Sequence, residues 1–444
     1  MANKDRKSIS PDKMKWKKDP KYERQRWTVF IVTYLGYFGF YMTRKAFPVA
    51  KIGILEDPGV DLSREVMGII DGGYGIAYAL GQFIWGISAD RLGSRKIVLF
   101  GMFASIVIAV LMGLSSTAIV FGILLFLQGF AQASGWAPLV KNVSSWFSRK
   151  ERGRVYGIWS SNYALGGMAA SFFAGYMALK FNDWRFAFYG AAAVLLGIWT
   201  LFLLFQKNKP EDVGLMPVEE YHSDNGGEVI VSEIKKEKTK TSLKQILKIF
   251  KNLMILRLSI VYFLLKPVRY AILFWGPVMV SDKLGTNIGE SAGISALFEL
   301  AGIAGVYFAG FASDKFFKAR RMPIIVIEFL LLSIVLFSFS SFASSGNILL
   351  MSILLILVGF LLFGPDALIS SVSAVDFGKK DEASSAAGVI NGFGATGQII
   401  GLSIPGIISV RYGWDVLFIG FGVFILVAAL ILLPKWNAVP TKTK

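Results

Sequence analysis

The sequence predicts an all-α membrane protein, with twelve transmembrane helices in two pseudo-symmetric six-helix bundles. Three observations carry that expectation. Hydrophobic residues make up 54% of the 444 and charged ones only 17%, against roughly 25% charged in soluble proteins. The apolar residues gather into runs of about twenty, long enough to cross a hydrocarbon core of about 30 Å as a helix. And motifs of the first half return in the second about 225 positions later.

A tail, 1–26, comes first and holds ten Lys and Arg residues. Predicted spans follow at 27–50, 66–89, 97–115, 118–146, 155–180 and 184–206, so one bundle covers 27–206. A lysine- and glutamate-rich linker, 207–250, reads as a polar loop. Spans at 251–283, 289–313, 322–343, 347–374, 384–410 and 414–434 make the second bundle, 251–434, before a tail at 435–444. Charge sets the orientation. Of 47 Lys and Arg residues, 36 fall on the tails, the region 207–257 and the loops 91–96, 149–154, 315–321 and 379–380. Those segments share one side of a twelve-span chain, and cytoplasmic loops carry such an excess. Both termini and the linker are therefore expected in the cytoplasm, with the chain in a bacterial inner membrane. The net charge of +17 is then a matter of cytoplasmic loops and solvated tails and implies no nucleic acid. The first apolar run is long enough to remain as a helix, so no cleaved signal peptide is expected.

Several chemistries are excluded. The chain has no cysteine and one histidine; His222 lies in the linker, which leaves no metal site, catalytic triad or cofactor to expect, and no enzyme. The run GFGATG (392–397) has dinucleotide-binding spacing, but no strand precedes it. Its small residues suit close helix packing instead. The sequon at Asn142 falls at a cytoplasmic helix end and is read as coincidental.

The internal repeat points to a site. GISADRLGSRK (86–96) and GFASDKFFKARR (310–321) correspond and resemble the loop signature of the major facilitator superfamily. Asp90, Arg91 and Asp314 are expected to form charge networks at the cytoplasmic helix ends. DWRFAFYG (183–190) echoes GWDVLFIG (413–420). TRKA (43–46) matches VRYA (268–271), so Arg44 and Arg269 hold equivalent places. An arginine near mid-bilayer costs roughly 2.5–3.5 kcal/mol even on insertion scales, and here that cost occurs twice. Transporters built from two such halves place their substrate site near the midplane between them. Guanidinium suits a phosphoryl group because its planar fork makes two parallel hydrogen bonds. Lys45 and Lys266 add positive charge, while Asp71, Glu299, Glu328 and Asp366 are the candidate counter-charges or gating groups. Tyr37 and Tyr41 precede Arg44 by turns of one helix, and Tyr74 and Tyr78 form a similar stripe on the next. Trp136 and Asn162 are candidates for contacting an organic moiety.

At this point YMTRKAF, WFSRKERGRVYGIW with NYALGG (146–167), LFELAGIAG (297–305), SDKFF (313–317) and FGPDALIS (363–370) resemble the organophosphate:phosphate antiporters. The resemblance spans all twelve helices and reaches the linker start, KPEDVGL (209–215). It implies that Arg44 and Arg269 hold phosphate, with Tyr37 and Tyr41 in support, and that an organic phosphate exchanges for inorganic phosphate. It also shows departures. Gln82 stands where several relatives carry lysine, and Tyr163 where the glycerol-phosphate exchangers have histidine. Phe274 replaces an acid, and Ala395 a tyrosine. Lys266 restores the charge lost at 82, and Glu299 partners Lys45. These departures favour a sugar phosphate such as glucose-6-phosphate over glycerol-3-phosphate. A hexose-phosphate sensor and a proton-coupled symporter are the other readings. Each chain should hold one complete pathway and function as a monomer.

Overall fold

The computed structural model describes residues 19–148, 151–223, 252–318, 320–343, 346–373 and 383–438. The expected tails and linker lie largely outside the described residues. Helix α1 (Pro20–Glu56) starts earlier than the expected residue 27. Asp19 caps it by accepting from the Lys21 amide at 2.9 Å, and Pro20 sits in the first turn, where a missing N–H costs nothing. The first half continues with α2 (Arg64–Leu92), α3 (Ser94–Gly113), α4 (Ala118–Gln132 with Trp136–Ser144), α5 (Arg152–Trp159 with Asn162–Phe181) and α6 (Arg185–Phe205). The second holds α7 (Leu253–Leu284), α8 (Ile288–Phe316), α9 (Arg321–Ala343), α10 (Ile348–Ala367), α11 (Ala383–Arg411) and α12 (Gly413–Leu432). Among the described residues these make the expected twelve. Ten are long and apolar enough to cross a membrane; α1 and α2, which hold Arg44, Lys45, Lys51 and Asp71, are less apolar.

Two spans expected as continuous are in two pieces. In α4, Pro138 has no N–H for the Ser134 carbonyl, and the chain tightens through Ser134 N to Ala131 O and Gly135 N to Gln132 O, both 3.2 Å. In α5, the Ser161 hydroxyl and amide both donate to the Ile158 carbonyl, at 2.7 and 3.1 Å. That side-chain bond competes with the regular ladder.

The repeat is visible at the ends of α1 and α7. Trp184 Nε1 donates to Asp57 at 2.9 Å, and Trp414 Nε1 donates to Asp282 at 2.8 Å. Each half thus ties the end of its first helix to the start of its sixth by the same indole–carboxylate bond. Asn142, the sequon residue, is buried and donates to the carbonyls of Lys207 and Asn208, both at 2.8 Å.

The halves meet through α2 against α11, α5 against α8 and α1 against α7. Toward the side away from the termini this seam is tight. A Cβ on Gly68 would lie 2.5 Å from the Ser403 carbonyl, and one on Gly175 2.8 Å from Ala292 Cβ. Arg64 forks onto Asp282 across the seam at 2.5 and 2.7 Å.

Candidate substrate site

Arg44 sits two-thirds of the way along α1 and is 7% exposed. Its Nε donates to Gln132 Oε1 at 3.0 Å. The guanidinium lies over the rings of Tyr41 and Tyr78, 4.5 and 4.9 Å from their centres. Gln132 is itself held in place: its amide donates to Thr43 Oγ1 at 3.1 Å, and its oxygen also accepts from the Tyr74 hydroxyl at 2.8 Å. The hydrogen-bond and ring partners of Arg44 are therefore neutral, and its Nη2 is buried without a hydrogen-bond partner. A buried donor left unmade forfeits roughly 1–3 kcal/mol, so this nitrogen is poised for an acceptor.

Arg269 sits in the middle of α7 and is 9% exposed. Its Nη1 donates to Asp366 Oδ2, and Lys266 approaches the other oxygen of Asp366 at 2.8 Å. Two cations share one carboxylate, which leaves the group at +1. The Arg269 guanidinium lies 4.4 Å from the Phe363 ring centre and 5.6 Å from that of Tyr163, while Lys266 lies 4.5 Å from Tyr262. The Arg269 Nε is also buried without a partner. Tyr41, Tyr270 and Glu299 each lie within electrostatic reach of both arginines. Counting Arg44, Lys45, Arg269 and Lys266 against Glu299 and Asp366, the cluster carries +2.

The other expected residues sort as follows. Tyr37 approaches Tyr78 hydroxyl to hydroxyl at 3.5 Å and packs 5.1 Å from the Trp136 ring. Trp136 also packs on Trp159 and Tyr163. These rings form a wall continuous with the Arg269 side through Tyr163. Tyr74 stacks with Tyr78. Asn162 is fully buried, and neither amide atom has a partner. Gln82, one turn beyond Tyr78, is half-buried with no hydrogen bond among the described residues. Lys45 is already paired. Its ammonium is paired with Glu299 at 3.0 Å and donates to the Leu273 carbonyl at 2.9 Å, at 2% exposure. It ties α1 to α7 and α8, and the expected Lys45–Glu299 pair is present. Asp71 pairs with Lys51, and Glu328 is buried with both oxygens unpartnered, so neither balances the arginines.

In the loop signatures, Asp314 meets Arg321 at 2.5 Å as expected of a charge network. Arg91 is exposed and makes no ion pair among the described residues, and the Asp90 side chain lies outside them. In the first loop Arg95 instead donates its amide to Asn208 Oδ1 at 2.8 Å and its guanidinium to the Leu203 carbonyl at 2.5 Å. Reading the sequence missed Gln132, Tyr270, Tyr262 and Phe363. Gln132 had one visible signal: Gln128 and Gln132 are two amides a turn apart in an otherwise apolar run.

Comparison with known proteins agrees with this architecture. The family model described as Major Facilitator Superfamily matches residues 33–395. A glycerol-3-phosphate transporter of Bacillus subtilis is 31% identical over 430 residues, covering 95% of this chain and 94% of its own. The membrane sensor protein UhpC of Escherichia coli is 30% identical, covering 96% and 95%. A probable hexose phosphate transport protein of Chlamydia pneumoniae is 26% identical, covering 96% and 94%. Among solved structures, a bacterial homologue of the human lysosomal transporter Spinster, in an inward-facing unoccupied conformation, has a TM-score of 0.70 at 16% identity. It covers 95% of this chain and 96% of that one. The protein is thus an integral, multi-pass membrane transporter and not an enzyme. The chain belongs to the Major Facilitator Superfamily, and within it to the organophosphate:phosphate antiporter family that its motifs resemble.

Proposed function

We propose that this transporter exchanges an organic phosphate for inorganic phosphate by alternating access, with the phosphoryl group held between Arg44 and Arg269. One observation carries the reading. Arg44 is a buried guanidinium whose hydrogen-bond and ring partners are neutral and whose Nη2 is unpartnered, and the equivalent arginine of the other half belongs to a group that keeps +1 after Asp366 is counted. A phosphate bearing −1 to −2 matches the +2 of the cluster and supplies acceptors for both forks.

Electrostatics then favours exchange. Burying an uncompensated charge costs several kcal/mol, so closing the halves around an empty +2 cluster is expensive. A bound phosphate removes that cost, and the loaded carrier reorients while the empty one does not. Either phosphate satisfies the cluster, which couples entry of one to exit of the other.

For the organic part we infer a sugar phosphate such as glucose-6-phosphate. The ring wall of Trp136, Tyr37 and Tyr163 offers flat apolar faces to a sugar ring, and Asn162 offers an unspent donor and acceptor to its hydroxyls. The relatives' names divide between glycerol-3-phosphate and hexose phosphate, so glycerol-3-phosphate is the competing substrate. One chain contains both arginines, and the working unit is the monomer.

The test is exchange of labelled phosphate by purified protein in phosphate-loaded liposomes, competed with a panel of sugar and glycerol phosphates. Arg44→Lys keeps the charge and loses the fork. Losing two charge-assisted bonds of about 1.5 kcal/mol each lowers exchange about 100-fold. Near-normal exchange in that variant overturns the proposal. Specific phosphate binding without exchange in the wild type would place this chain with its sensor relative instead.

A further inference from the structure

We propose that Lys51, paired with Asp71 and donating to the Phe274 carbonyl of the opposite half, forms a latch that holds the far side of the transporter shut. The inference is independent of which substrate is carried. Pro277 lies inside α7 and has no N–H, so the carbonyl four residues back, that of Leu273, is left without its helical donor. Lys45 of α1 fills this gap from the opposite half, and Lys51 of the same helix binds the next carbonyl along. Lys45 donates to the Leu273 carbonyl at 2.9 Å, and Lys51 donates to the neighbouring Phe274 carbonyl at 3.2 Å.

Lys51 is fully buried, as is Asp71 of α2, with which it pairs. Its ammonium also lies 3.6 Å from the centre of the Trp275 ring. Trp275 is fixed in turn by donating Nε1 to the Leu402 carbonyl of α11 at 2.9 Å. That bond carries the latch into the α2–α11 seam, where Gly68 and Gly72 pack on Ser403.

The arrangement differs in kind from the Lys45–Glu299 pair. Lys45 and Glu299 belong to different halves, so opening the seam separates two charges. Lys51 and Asp71 both belong to the first half and travel together. What opening breaks is one bond to a neutral carbonyl and one contact with an indole. The lysine stays compensated in both states, so the latch can release and re-form without exposing an unpaired buried charge. Such a contact is firm enough to hold the seam and weak enough to open at each turnover. Lys51, Asp71 and Trp275 are therefore positioning residues for the transport cycle.

The natural absence of cysteine makes the test direct. A reporter Ser403→Cys is placed in the seam and another, Asn391→Cys, on the terminus-side part of α11, each in the full chain with a membrane-impermeant maleimide. Lys51→Met is expected to raise labelling of position 403 from the far side about tenfold, the ratio that one charge-assisted hydrogen bond corresponds to. Labelling of position 391 from the terminus side should fall in the same variant. Opposite changes mark a shifted gate. A rise at both positions means loosened packing and overturns the proposal, as do unchanged rates. Should Lys51→Met fail to insert, Trp275→Leu serves as the second variant. It removes the ring that the Lys51 ammonium contacts across the seam and should raise labelling at 403; no rise there overturns the proposal.

Discussion

Arg44 meets an amide and a ring of tyrosines, whereas Arg269, at the equivalent place in the other half, shares Asp366 with Lys266. The same duplicated residue thus stands in two electrostatic settings. The first half holds its charge unspent. The second holds two cations around one carboxylate, which keeps a net +1 and lowers the cost of burying them. The difference teaches that pseudo-symmetry governs where the arginines sit and not how strongly each is prepared for an anion. A carrier with two bare arginines would hold phosphate tightly and be costly to fold; one with both neutralised would have little reason to bind it.

The largest effect should come from removing the shared carboxylate. Asp366→Asn leaves Arg269 and Lys266 uncompensated, and breaking a buried pair of this kind costs about 3–5 kcal/mol. Thermal unfolding should show that loss, and added phosphate should recover much of it by supplying the missing charge. Equal destabilisation with and without phosphate would separate the triad from the substrate site.

Gln132→Glu makes the first half resemble the second by giving Arg44 its own carboxylate. If the contrast between the halves matters, phosphate exchange falls roughly 30-fold, as expected for a loss near 2 kcal/mol. Unaltered exchange would mean that Arg44 is not the prepared anion site.

A smaller change tests the tyrosine ring around Arg44. Tyr41→Phe keeps the face under the guanidinium and removes the hydroxyl, so the half-saturating phosphate concentration should rise about fivefold, the value of one hydrogen bond near 1 kcal/mol. Smallest of all is Glu328→Gln. Glu328 is buried in the second half, and its oxygens meet no partner. A near-isosteric amide there should leave exchange within about twofold, the range of substitutions that touch no charged partner. A larger fall would add a third acidic group to the working set.

Much of this was legible in the residues. Charges inside apolar runs are rare and must find partners, so Arg44, Arg269, Lys45 with Glu299 and Lys266 with Asp366 stood out before any coordinates. The tyrosine stripe did too, because positions a turn apart share a face. Gln132 was hidden because a neutral amide pays little to enter an apolar run and leaves no charge to balance. The destinations of Asp71 and Glu328 were equally hidden: sequence spacing offers each several cations and cannot rank them. The early start of α1 was obscured by its polarity. Its first turns carry Lys21, Arg24 and Arg26, which read as tail, yet Asp19 and Pro20 nucleate helix there.

Taken alone, the sequence determined the twelve helices, the duplication and the presence of intramembrane charge, and set an expectation for their orientation. Those are properties of run length, loop charge and repetition, each of which acts locally along the chain. Only the tertiary structure decided which cation remains uncompensated and which lysines cross the seam. That outcome depends on helix rotation and depth, where a few ångströms exchange a carboxylate for an amide beside the same guanidinium.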